Sequence, residues 1–281
     1  HNYAGLLKGH LSYLGELMLG HLRYGTQGKN NVEFCHPFIK RHTVPARNLA
    51  LAGNFNLVNT DELFGLVNIE PGPFQKQSDL AAMLEVLYHF LVGADAQNPG
   101  GVDVAAVLKK AVPFFDGGFH VAGITGSGES FAFRDAHGIR PAYYFINDEV
   151  VVAASERAAI RTAFNVGENE VQELAAGCAL LVDARGGYRF EQIVPQQERR
   201  ACSFERIYFS RGSDEKIYKE RQALGYNLSK PVLEAINYDL KNTIFSFIPN
   251  TAEVAFYGMI KGCEHYLNKI KIERILSWGE G

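Results

Sequence analysis

Residues 49–59 read Leu49-Ala50-Leu51-Ala52-Gly53-Asn54-Phe55-Asn56-Leu57-Val58-Asn59. The first four form an apolar run of the length expected for a buried strand. Gly53 to Asn56 are residue types that favour turns, so this reading ends the strand at Ala52. Downstream, Ser78 is placed to cap a helix, and Asp79 suits the positive end of its dipole. Leu80, Met83, Leu84, Leu87 and Leu91 then recur at helical spacing and define one buried face. A second helix is expected over 102–115, carried by Val104, Val107, Leu108, Ala111 and Phe115.

Three hairpins follow. Phe119–Thr125 and Ser130–Arg134 flank Gly126-Ser127-Gly128, which can supply positive φ. Tyr143–Ile146 and Val150–Ala154 flank Asn147-Asp148, and Ala179–Asp183 and Tyr188–Ile193 flank Arg185-Gly186-Gly187. Hairpins with few helices among them imply antiparallel sheet with helices packed on its faces. From about residue 206 the pattern changes. Residues 213–236 read as helix with a cap at Ser213, and Pro231 predicts a break into two helices. Thr243–Ile248 reads as a strand, followed by Pro249-Asn250-Thr251 and a helix from Ala252 to Leu267. Strand, polar loop and helix make the opening unit of an α/β sheet.

Composition narrows the function. A hydrophobic share of 47% with 21% charged residues is that of a globular chain rather than a disordered one. A net charge of -3 supplies no electrostatic reason to expect nucleic acid or an anionic membrane as partner. No apolar run approaches the roughly 18 residues of a membrane span, and no basic-then-apolar leader opens the sequence. Cys35, Cys178, Cys202 and Cys263 form no CxxC pair, which favours reduced thiols in a cytoplasmic protein over zinc or a disulfide framework. HExxH, GxSxG, P-loop and GxGxxG patterns are absent.

Two groups of residues carry a resemblance. Gly20-His21-Leu22-Arg23-Tyr24-Gly25-Thr26 together with Leu49–Asn59 is similar to the paired motifs of class II glutamine amidotransferases. Arg134-Asp135-Ala136-His137-Gly138-Ile139-Arg140-Pro141, Ala153-Ala154-Ser155-Glu156 and the string Cys202–Arg211 resemble the amidophosphoribosyltransferase branch of that family. The likeness covers most of residues 18–262, and Ile248-Pro249-Asn250-Thr251 sits where that branch has V-P-D-S. It implies an α+β fold: a four-layer αββα N-terminal-nucleophile-hydrolase sandwich over 1–205, then linker helices and the start of an α/β phosphoribosyltransferase-type domain over 206–281.

The resemblance also implies a chemistry. An N-terminal cysteine would hydrolyse glutamine through a covalent intermediate, its own α-amino group serving as base. The released ammonia would displace pyrophosphate from phosphoribosyl pyrophosphate, giving phosphoribosylamine at the first step of purine synthesis. Arg23 would hold the glutamine α-carboxylate as a planar bidentate cation, and Asp79 the α-amino group. The Asn54 side-chain amide and the Phe55 backbone N–H would form the oxyanion hole. Thr26 would set the loop of Arg23, and Tyr24 would cover the pocket. Mg²⁺ would help hold the diphosphate in the full-length enzyme, and family members are commonly homo-oligomers. Cys202 matches an iron–sulfur ligand of some members and an ordinary cysteine of others.

Three departures from the family pattern are visible. His-Asn-Gly-Asn of the family reads Gly53-Asn54-Phe55-Asn56 here, and a phenylalanine would be strained if its backbone needed positive φ. Gly53 would then take over the flexible position. The chain opens on His1-Asn2-Tyr3, so the nucleophile and the family's first strands are expected to precede it, and Ser277–Gly281 reads as a tag, a joined piece or a truncation. Cys35, away from any terminal amine, reads as structural. The fragment as written would bind glutamine without hydrolysing it. Competing readings are a class II amidotransferase with another acceptor domain and a non-catalytic glutamine-binding relative.

Overall fold

The computed structural model describes residues 15–22, 31–73, 75 and 78–278. The chain divides into two compact units, His1–Ala201 and Cys202–Gly281, where the sequence reading set the boundary at 205.

In the first unit the strands are β1 (Phe38–Lys40), β2 (Leu49–Leu57), β3 (Gly117–Thr125), β4 (Ser130–Arg134), β5 (Tyr143–Ile146), β6 (Val151–Ala154), β7 (Gln172–Glu173), β8 (Cys178–Val182) and β9 (Tyr188–Gln192). They form a six-stranded sheet, β1-β2-β3-β4-β8-β9, and a three-stranded sheet, β6-β5-β7. Among the described residues of this unit the helices are α1 (Thr60–Leu66), α2 (Asp79–Gln97), α3 (Val104–Ala111) and α4 (Arg157–Phe164).

Period-two alternation sorts the side chains into layers. Leu51, Phe119, Val121, Phe131, Phe133 and Leu181 project from the large sheet into one core with Leu63 and Phe64 of α1, Leu80, Met83, Leu87 and Leu91 of α2, and Leu108 of α3. On the opposite face Cys178 and Leu180 meet Tyr144, Ile146, Val151 and Ala153 of the small sheet. Behind that sheet, Phe145 packs with Ile160 of α4. Helices, sheet, sheet and helix make the four layers expected.

Local chemistry explains the boundaries. The Ser78 hydroxyl accepts from the Ala81 N–H at 3.3 Å, a cap typically worth about 1 kcal/mol. Asp103 caps α3 through the Ala105 N–H, and Pro113 closes the run as a 3₁₀ turn instead of the longer helix expected. The hairpins turn on Gly128 and Gly186, both with positive φ.

The predicted turn at Gly53–Asn56 is a strand. β2 runs unbroken to Leu57, in antiparallel register with β3: Gly53 faces Val121, Asn54 faces His120 and Phe55 faces Phe119. A ladder along its whole length overrides the residues' own turn preference.

The second unit corrects three further expectations. α5 (Glu215–Ala235) is one helix that contains Pro231, and its cap is Asp214 rather than Ser213. Pro231 and Asn227, whose carbonyl it leaves without a donor, are both exposed, so water can serve that carbonyl. Thr243–Ile248 has no ladder partner among the described residues, although its burial alternates; Ile244 and Ile248 are almost fully exposed. Extended backbone without a neighbouring strand is not sheet. Finally, α6 (Glu253–Trp278) outruns the predicted end at Leu267 and includes Ser277 and Trp278. The described part of this unit is therefore helical.

α5 and α6 are held together by small residues. A Cβ at Gly225 would lie 1.7 Å from the Ala255 carbonyl oxygen, and one at Gly258 would lie 2.0 Å from that of Gln222. Ahead of α5, Glu205–Phe209 forms a π turn. Arg221 ties it down by donating to the carbonyls of Arg206 at 3.0 Å and Ser210 at 2.7 Å.

Candidate functional site

The site grows from the far end of β2. Phe119 turns its backbone toward the β4 side: its carbonyl accepts from the Asp135 N–H at 2.8 Å, and its own N–H donates to Asp135 Oδ2 at 3.2 Å. Alternation of hydrogen-bonded pairs then directs the N–H groups of Gly53, Phe55 and Leu57 away from β3. β1 covers β2 only at Leu49–Leu51, so these three amides lie along an open edge.

Two of the three have side-chain acceptors. Gly53 N–H donates to His36 Nδ1 at 3.4 Å, and Leu57 N–H donates to Asp79 Oδ2 at 3.0 Å. Phe55 N–H lies between them. The Phe55 ring stacks on His36, with centroids 5.8 Å apart and planes 10° from parallel. Phe55 is not among the non-glycine residues with positive φ, which among the described residues are Asn68, Asn165, Asn237 and Tyr238. The strain considered for phenylalanine does not arise, and Gly53, extended like its neighbours, supplies space rather than a positive φ.

Asn54 projects from the other face of β2 into a cavity of about 190 Å³ between the sheets, also lined by His120, Ala122, Ala132, Ala154 and Ser155. Asp79 is half-buried at the first turn of α2. Burial lifts its carboxyl above the ordinary range, while the Leu57 amide, its own amide and Arg140 pull it back.

The Arg134–Pro141 motif divides into scaffold and reach. Asp135 is buried and accepts from the N–H groups of Phe119, His137, Ile139 and Arg140. Arg134 donates to the carbonyls of Arg140, Gly138 and Leu174 and pairs with Glu173 at 2.7 Å. Gly138, at φ +60°, closes this loop. Its product is the position of Arg140, whose Nη2 donates to Asn56 Oδ1 at 2.5 Å. Arg140 was visible to the sequence reading only as part of a motif. His36 and His120 carried no signal, because their placement depends on strand register.

Of the residues named from the sequence, the structure brings Asn54, Phe55 and Asp79 to one end of β2. Arg23, Tyr24 and Thr26 lie outside the described residues. Cys35 is exposed, Cys202 half-buried, and Cys178 and Cys263 buried. Among the described residues no group of three or more His, Cys, Asp or Glu is arranged to hold a metal ion. No described helix is long and apolar enough to cross a membrane.

The fold has counterparts among known proteins. Residues 36–162 match the family model described as a glutamine amidotransferase domain. The chain is 26% identical over 220 residues to an amidophosphoribosyltransferase of Archaeoglobus fulgidus, covering 77% of this chain and 45% of that protein. Against the Bacillus subtilis amidophosphoribosyltransferase it is 29% identical over 220 residues, covering 77% and 43%. The solved glutamine phosphoribosylpyrophosphate amidotransferase of B. subtilis, complexed with ADP and GMP, has the same fold with a TM-score of 0.62 at 22% identity, covering 87% of this chain and 49% of that one. A solved structure of the allosteric regulatory enzyme of purine biosynthesis aligns with a TM-score of 0.65 at 24% identity, covering 86% of this chain and 48% of that one. The chain spans about half the length of the curated relatives it matches.

Residues 36–162 are thus similar to a glutamine amidotransferase domain, and the sandwich is the fold of the two solved structures. The curated relatives named above are amidophosphoribosyltransferases, to which this chain is similar at 26% and 29% identity.

Proposed function

We propose that this chain is the glutamine-handling part of an amidophosphoribosyltransferase. The observation that carries the reading is the open edge of β2, where the Phe55 N–H lies beside the Leu57 amide held by Asp79, next to Asn54 on the cavity face of the same strand. A glutamine carboxamide at this corner meets neutral donors from Asn54 and Phe55. Preorganised donors of that kind are typically worth about 3–4 kcal/mol each to an acyl-transfer barrier. Asp79 accepts from the Leu57 N–H and from its own amide and keeps its remaining lone pairs for the substrate ammonium group, and Arg23 takes the α-carboxylate as a bidentate cation. Attack by an N-terminal cysteine of the full-length protein forms the acyl intermediate and releases ammonia.

In this reading ammonia passes to phosphoribosyl pyrophosphate, giving phosphoribosylamine in a cytoplasmic homo-oligomer. Mg²⁺ would neutralise the diphosphate when bound. Among the described residues no group of three or more His, Cys, Asp or Glu would hold that ion or an iron–sulfur cluster at Cys202.

The test is a glutaminase assay on the full-length protein, with intact mass measured after treatment with diazo-oxo-norleucine. One adduct on an N-terminal cysteine, with glutamate released, is the expected result. No adduct and no glutamate, with phosphoribosyl pyrophosphate supplied, would overturn it. The Gly53 and Phe55 departures would then favour the second reading, a glutamine-binding relative without catalysis.

A further inference from the structure

Asn54, His120 and Arg134 stand in one row across three strands: His120 is the register partner of Asn54 on β2 and of Arg134 on β4. All three lie on the face that looks toward the small sheet. The His120 ring is 5% exposed and lines the cavity beside Asn54, and its Nε2 is buried without a hydrogen-bond partner. The ring bonds to the backbone of Pro141, which favours the protonated ring and therefore marks the ring as donor to that carbonyl. With Nε2 unpartnered, the donor is Nδ1–H, and Nε2 keeps its lone pair.

We propose that His120 is a specificity residue of the glutamine site, its Nε2 accepting a hydrogen bond from the N–H of the substrate carboxamide. The inference rests on the glutamine reading above. Across a hydrogen-bonded antiparallel pair, same-face neighbours are about 5 Å apart, a span a carboxamide can bridge. Its oxygen accepts from Asn54 and its nitrogen donates to His120. A donor beside an acceptor reads a primary amide. A carboxylate has no N–H to give and would set a lone pair against that of Nε2, so the pair rejects glutamate, the product of hydrolysis.

The row also keeps the reader neutral. Burial and the adjacent Arg134 guanidinium both oppose a charge on His120, and Arg134 is the charged group that faces it from the neighbouring strand. An imidazolium would present a donor at Nε2 and favour the carboxylate instead.

The test is calorimetric titration of the full chain with L-glutamine and with L-glutamate, with released glutamate assayed in parallel to separate binding from turnover. The wild type is expected to prefer glutamine. His120→Leu should shrink the preference about tenfold to a hundredfold, the effect of one buried hydrogen bond. His120→Gln, which keeps an acceptor, should recover part of it. Should the leucine variant fail to fold, the ¹⁵N resonance of Nε2 in the wild type decides: glutamine should shift it and glutamate should not. Glutamine binding with an unchanged preference in His120→Leu, or with an unmoved Nε2 resonance, would overturn this inference alone. Binding of neither ligand would overturn the glutamine reading and this inference with it.

Discussion

A Cβ at Gly53 would lie 2.8 Å from Cε1 and 2.9 Å from Cδ1 of Phe55, so the Phe55 ring occupies the room the glycine leaves. Residues two apart on a strand share a face, so the large-then-small pair of the resembled motif stands here as small-then-large. The two departures are one exchange. Gly53→Ala should cost about 1–3 kcal/mol by overpacking. In a Phe55→Gly background the same substitution should cost less, though not nothing, because the His120 carbonyl oxygen still lies 2.5 Å from the new Cβ. A double-mutant cycle by urea unfolding measures the coupling, and additive costs would contradict it.

Asp79 has two duties that substitution can separate. Asparagine keeps an oxygen for the Leu57 N–H and loses only the charge. Asp79→Asn should therefore change stability by less than about 1 kcal/mol while raising the KM for glutamine at least tenfold. Asp79→Ala should add a loss of about 1–3 kcal/mol by leaving the Leu57 amide without its acceptor. Thermal unfolding and glutaminase kinetics on the same two proteins check both parts.

Asp135, although part of the most conspicuous motif, serves the scaffold. Its carboxylate accepts from four backbone N–H groups while 1% exposed. Asp135→Ala should destabilise the first unit by at least about 3 kcal/mol, since hydrogen bonds to a charged acceptor are worth about 1.5–3 kcal/mol each. Arg140→Lys should leave stability near wild type and act on glutamine kinetics. Equal loss of stability in both variants would refute this division of labour.

These contrasts show what was legible in the sequence. The helical face Leu80–Leu91, the Ser78 cap and the three hairpins are local patterns, and each was found where periodicity put it. Gly53–Asn56 misled because turn preference is local while strand pairing is not: β3 lies some sixty residues downstream. Thr243–Ile248 misled in the opposite sense, having the alternation of a strand but no partner among the described residues. Asn54 and Asp79 could be named because their motifs are contiguous. His120 could not, for nothing near it in sequence says that it stands beside Asn54.

The His120 row makes a prediction about stability that is independent of any ligand. Burial first, and then the Arg134 charge, depress the His120 pKa from 6.5 to about 4. Between those values the unfolded chain binds a proton that the folded chain does not, so stability rises with pH across this window. Read downward, the contribution is fully present above the unfolded value and is lost as pH falls toward the folded one. A displacement of this size corresponds to about 3 kcal/mol between pH 6.5 and 4. Carboxylates titrate over the same range, so the total slope is not the test. The difference between wild type and His120→Leu is: the variant should lose this component and show a flatter urea-midpoint profile from pH 6.5 to 4. Parallel profiles would mean that the imidazole is protonated in the folded state, and a protonated His120 would offer a donor, not a lone pair, to the cavity beside Asn54.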